Sequence, residues 1–60
     1  MKLKEWLTTI STEVEIDLYW DNLDFINSYY SKVAVRPEWC NHQVTYVCIM
    51  KQNKIAIYIK

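Results

Sequence analysis

Sixty residues, 52% of them apolar, with seven basic and seven acidic side chains, bound this chain to one small domain near the lower limit for a single core. That composition excludes a disordered tail, and a formal charge of zero excludes a global field drawing it to nucleic acid or membrane. Two cysteines, no glycine and one proline do not describe a secreted disulfide scaffold, so a cytoplasm is the expected compartment.

The zero balance conceals an asymmetry. Residues 1–30 hold two lysines against six carboxylates, net −4, and residues 31–60 hold five cations against Glu38 alone, net +4. Such a division predicts two faces of opposite sign, or two halves that attract one another when folded. Nine aromatic residues exceed what so small a core encloses, which predicts surface Trp or Tyr covered by a partner or a second copy. No run approaches the roughly 20 apolar residues of a membrane span. Trp6–Thr12, the longest uncharged run near the start, is too short and threonine-rich for a signal peptide.

Residues 2–10 read as a short amphipathic helix, with Leu3, Trp6, Leu7 and Ile10 on one side at helical spacing. The run from Thr8 to Thr12 should end it. So short a helix must dock on a sheet.

Glu13–Trp20 alternates without a break. As a strand it puts Val14, Ile16, Leu18 and Trp20 on one face and Glu13, Glu15 and Asp17 on the other. Asp21-Asn22 can form a tight turn without glycine, because these residues best tolerate the left-handed region. Pairing across it would match Trp20 with Leu23, Leu18 with Phe25, Ile16 with Asn27 and Val14 with Tyr29. A helix capped by Asp21 also fits residues 22–34. The Ser, Asn, Tyr, Phe and Val content favours the strand.

Pro37-Glu38-Trp39 reads as the start of a helix of one to two turns. A final hairpin then spans residues 44–60. Pairing Met50 with Ile55 across Lys51–Lys54 would align Cys48 with Ile57 and Tyr46 with Ile59 facing the core. Val47, Ile49, Ala56 and Tyr58 would then share the opposite, outer face. The expected fold is α+β in the order α-β-β-α-β-β: an N-terminal helix and two antiparallel hairpins separated by a short helix, in a single small sheet.

The chain also resembles a group of short proteins encoded by phages and mobile elements of Gram-positive bacteria. The resemblance rests on Met1-Lys2-Leu3-Lys4-Glu5-Trp6-Leu7, Val14–Tyr19, Pro37-Glu38-Trp39 and Asn53–Ile59, and covers most of the length. Most such proteins have no assigned activity, and some of this size are anti-CRISPR inhibitors. It implies an origin and a size class, and assigns no functional residue.

Glu13, Glu15 and Asp17, with Asp21 nearby, form the first candidate site, since carboxylates two apart on a strand stand about 6.6 Å apart along it. That ladder could imitate a phosphate backbone in a cationic groove of a bacterial host protein, such as a CRISPR effector nuclease. The plainer reading is the solvated face of an edge strand. Val47, Ile49, Ala56 and Tyr58 are a candidate self-association face, giving a homodimer.

Cys40, His42 and Cys48, with Glu38, contain zinc-ligand types, but lack a Cys-x-x-Cys knuckle, and neither metal nor another cofactor is expected. Cys40 with His42 lacks a third, orienting group, and there is no glycine-rich phosphate loop. No enzyme is expected. Lys51, Lys54, Lys60 and Tyr58 could bind nucleic acid through a basic hairpin, a reading that zero net charge disfavours. The expected function is therefore inhibitory binding to a host protein, with a small dimeric nucleic-acid-binding module as the alternative.

Overall fold

The computed structural model describes all sixty residues, with one α-helix, α1 (Leu3–Leu7). The Glu5 carboxylate accepts the Lys2 N–H at 2.7 Å and so secures the start of the helix, while the Thr8 and Thr9 hydroxyls donate to the Glu5 and Trp6 carbonyls. Those threonines satisfy carbonyls that a longer helix would have used. The helix is accordingly shorter than the apolar spacing over residues 2–10 predicts.

Four strands follow: β1 (Glu15–Trp20), β2 (Phe25–Tyr29), β3 (Val44–Lys51) and β4 (Lys54–Ile59). They form one sheet in the order β2-β1-β4-β3. β1 and β2 are antiparallel, as are β3 and β4, but β1 and β4 run parallel down the middle, with Ile16 beside Ile55 and Leu18 beside Ile57. The expected α-β-β-α-β-β arrangement of two hairpins and two helices is therefore corrected: the sheet is mixed. The second helix is replaced by two isolated 3-10 turns, Lys32–Ala34 and Pro37–Trp39.

This topology explains the loss of the second helix. The chain leaves β2 at one sheet edge and must reach β3 at the other. It crosses over the same face that α1 covers, burying Ser31 and Val35 and packing Ala34 and Trp39 against the core. A crossing that must stay extended has room only for single turns. Between the two layers lie Leu3, Ile16, Leu18, Ile57 and Ile59, all fully buried, each contributing roughly 1.5–3 kcal/mol by transfer from water.

Both hairpins differ in register from the sequence reading. The first turn takes in Asp21, Asn22 and Leu23, closed by bonds from Leu23 N–H to Trp20 C=O and from Trp20 N–H to Asp24 C=O. Tyr19 thus pairs with Phe25, and a bulge at Ile26 then sets Leu18 against Asn27 and Ile16 against Tyr29. In the second hairpin Lys51 pairs with Lys54, Met50 is bulged out, and Ile49 lies opposite Ile55. One extra residue turns over the side chains from Tyr46 to Ile49, and a second bulge at Thr45 returns Val44 to the core side. Val47 and Ile49 therefore share a face with Ile57 and Ile55, while Tyr46 and Cys48 share the other with Tyr58 and Ala56.

Leu23 has φ 78°, the one positive value in the chain, and its side chain is 71% exposed. A left-handed conformation costs an L-residue about 1–2 kcal/mol, and no packing offsets it here. Leu23→Gly should therefore raise unfolding free energy by about 0.5–1 kcal/mol, after the extra freedom of glycine in the unfolded chain is deducted. Urea denaturation reads this directly, and a lowered midpoint would contradict the turn geometry.

Candidate functional site

One face of the sheet is covered by α1 and the crossover; the other has no layer over it. Alternation along the two central strands places Glu15, Asp17 and Tyr19 of β1 beside Lys54, Ala56 and Tyr58 of β4 on this open face. A row of rings crosses all four strands there. Phe25 of β2 meets Tyr19 edge-on with centroids 5.3 Å apart, Tyr19 stacks on Tyr58 at 5.0 Å, and Tyr58 leans on Tyr46 of β3 at 5.7 Å. These separations are those of favourable aromatic pairs. The outer rings, Phe25 and Tyr46, are 56% and 62% exposed.

Next to the row lies a polar cluster. Asp17, only 6% exposed, accepts a hydrogen bond from the Ser28 hydroxyl at 2.6 Å and pairs with the Lys54 ammonium at 3.5 Å. A carboxylate so far out of water needs such partners. Ala56, the small residue between Asp17 and Cys48 in the sheet, is buried by the side chains around it.

The acidic ladder is accordingly not presented as a row. Glu15 is exposed on β1, Glu13 lies before the strand, Asp21 lies in the turn, and Asp17 is consumed inside the fold. Alternation alone could not show this, because Ser28 and Lys54 reach Asp17 from two other strands. The expected self-association set is also divided. Ala56 and Tyr58 lie on the open face, whereas the Met50 bulge sends Val47 and Ile49 to the helix side.

Cys40, His42 and Cys48 are not brought together. Cys40 Sγ lies 3.8 Å from the Arg36 carbonyl, and Cys48 is on the open face of β3. The His42 ring packs against Trp20 and Trp39 with centroids 5.3 and 5.7 Å away, and its Nδ1 is 3.1 Å from the Lys60 carbonyl. Trp39 Nε1 in turn donates to the Tyr29 hydroxyl at 3.0 Å. With Trp20 edge-on to Trp39, these rings close one end of the core and leave no cage between them. Glu38 is paired with Arg36, and that hydrogen bond, then its charge, holds the guanidinium above its ordinary pKa.

The basic hairpin is also partly spent. Lys54 is engaged by Asp17, and Lys60 follows the end of β4, away from the Lys51–Lys54 turn. The aromatic row itself was not legible in the sequence, because its four members come from four strands, joined by a long-range parallel pairing and by two hairpins whose registers depend on bulges. Comparison with known proteins gave no matching family model, no matching curated protein and no matching solved structure. No helix is long and apolar enough to cross a membrane.

The placement of the carboxylates yields a sharp contrast. Glu15→Gln should change stability by no more than about 0.5 kcal/mol, as exposed substitutions do. Asp17→Lys puts a second ammonium beside Lys54 in a buried position and should cost at least about 3 kcal/mol. Chemical denaturation of the two variants checks this, and equal stabilities would contradict the Asp17 environment.

Proposed function

We propose that this protein works by binding another protein through the open sheet face, and that it is not an enzyme. The aromatic row Phe25–Tyr19–Tyr58–Tyr46 carries the reading. Tyrosine and phenylalanine supply large, rigid contact area at low entropic cost and are enriched at the energetic centres of protein interfaces. The flanking groups suit a protein partner better than a nucleic acid. Asp21 and Asp24 lie at the turn beside Phe25, Lys54 is neutralised by Asp17, and the chain has no net charge. A single-strand platform needs a cationic track beside its stacking rings.

The resemblance to phage and mobile-element proteins makes a bacterial host protein in the cytoplasm the expected partner, with a defence nuclease such as a CRISPR effector within that class. In this reading the protein inhibits by covering a surface. Contact is centred on rings, and Glu15 contributes at the margin. The aromatic row replaces the acidic ladder as the proposed contact.

The double variant Phe25→Ser/Tyr46→Ser removes the two outer rings of the row while leaving the stacked Tyr19–Tyr58 pair in place. Each truncated anchor should cost about 2 kcal/mol or more in binding, about 4 kcal/mol together, so affinity for a partner captured by the wild-type protein should fall on the order of 1,000-fold. Circular dichroism should remain that of the wild type. Capture from bacterial lysate, followed by titration of the purified partner with both proteins, measures the loss. Unchanged affinity would contradict the reading. Tight binding of a single-stranded oligonucleotide, weakening steeply with salt, would favour the nucleic-acid alternative.

A further inference from the structure

β3 is an edge strand with eight residues and no charged side chain before Lys51. Edges are ordinarily blunted by charge, proline, a bulge or shortness. The opposite edge, β2, has five residues and a bulge within it. The bulges of β3, at Thr45 and Met50, leave a regular stretch from Tyr46 to Ile49 between them.

The backbone groups along that stretch can be assigned. Glu15 N–H bonds to the Asn53 carbonyl and Asp21 N–H to the Ile59 carbonyl, both at 2.8 Å. Odd-numbered residues of β4 therefore face β1, and Ala56 and Tyr58 face β3. In antiparallel pairs, both backbone groups of a residue point to the same neighbour and alternate along the strand. Cys48 and Tyr46, opposite Ala56 and Tyr58, point inwards. Val47 and Ile49 turn their N–H and C=O groups outwards, where no other strand meets them; the Ile49 carbonyl accepts only a long contact from the Cys48 thiol, at 3.8 Å. The free stretch begins after Val44, whose N–H bonds to the Met1 carbonyl at 2.8 Å.

Beside this edge, on the helix side, is an apolar groove of about 590 Å³ lined by Trp6, Ile10, Val44, Val47, Ile49 and Ile55 among others. The Ile49 side chain at its mouth is 78% exposed. An occupant satisfying both the edge and the groove is an extended strand with apolar residues at alternate positions. β3 is itself such a strand.

We propose that two copies of this chain pair β3 against β3, antiparallel, about a two-fold axis at Cys48. Of the registers that keep like faces together, those centred on Val47 and on Ile49 each give a single bonded pair before they meet the Thr45 or the Met50 bulge. The one centred on Cys48 pairs Val47 of each copy with Ile49 of the other, and so forms four backbone bonds. It also lays each Ile49 beside Val47 at the mouth of the other copy's groove. Lys51 falls opposite the uncharged Thr45, so the one charge of the strand meets no like charge. Four bonds are fewer than the roughly ten of a standard interface, which makes this a weak dimer, micromolar or above. It rests on the edge and groove alone, independent of the aromatic row, although it sets two such rows on one side of a continuous sheet.

The two Cys48 residues form the central non-bonded pair, with Cα atoms about 4.5 Å apart, within the range a disulfide spans. In the Cys40→Ser variant, oxidation with copper–phenanthroline should therefore link two chains through Cys48. Sedimentation from about 5 μM to 1 mM should show a monomer–dimer equilibrium that Ile49→Lys abolishes, with an unchanged circular dichroism spectrum. Raising the concentration should also protect the Val47 and Ile49 amides of the wild-type chain from exchange, a readout that needs no variant. A monomer throughout, a dimer that Ile49→Lys leaves intact, or the absence of a Cys48 cross-link would overturn the proposal.

Discussion

The parallel pairing of β1 with β4 is the constraint on which the other features depend. Both strands alternate, and their register sets Ile16 and Leu18 level with Ile55 and Ile57, which completes one face of a core that neither hairpin could bury alone. α1 and the crossover segment dock on that face because it is the large apolar surface the sheet offers. The same register fixes the opposite face without further choice, bringing Asp17 level with Ala56 and Tyr19 level with Tyr58. Core and candidate binding surface are two consequences of one alignment.

The alignment also resolves the charge asymmetry of the two chain halves. Two ion pairs are present; Arg36–Glu38 is local, and Asp17–Lys54 joins the acidic first half to the basic second half across the central strands. Lys54 lies at the start of β4 and Asp17 two residues into β1, and the parallel register brings the ammonium within reach of the carboxylate. With Ser28 as its second partner, Asp17 links three strands.

Much of the local structure was legible in the sequence. The alternation through Glu13–Trp20 marked β1, which begins two residues later at Glu15, the threonine run marked the end of α1, and the β-prone content of residues 23–29 marked β2. What remained hidden was non-local. A bulge leaves no composition signal, yet Met50 and Ile26 each shift a hairpin by one residue and so decide which side chains share a face. Without the Met50 bulge, Val47 and Ile49 would join Tyr58, and no aromatic row would reach β3. Likewise the three carboxylates at alternate positions were visible, but not the residues from β2 and β4 that remove Asp17 from the surface. The order of strands could not be read because parallel pairing joins segments almost 40 residues apart.

The most direct test of the account is therefore the direction and register of the central pair. In nuclear Overhauser spectra of the isotopically labelled protein, cross-strand contacts should follow a parallel ladder with Leu18 beside Ile57, and the Tyr19 and Tyr58 rings should give mutual contacts. Contacts showing β1 and β4 antiparallel, or shifted by one residue so that Tyr19 meets Ile57, would contradict the core, the aromatic row and the Asp17 cluster together.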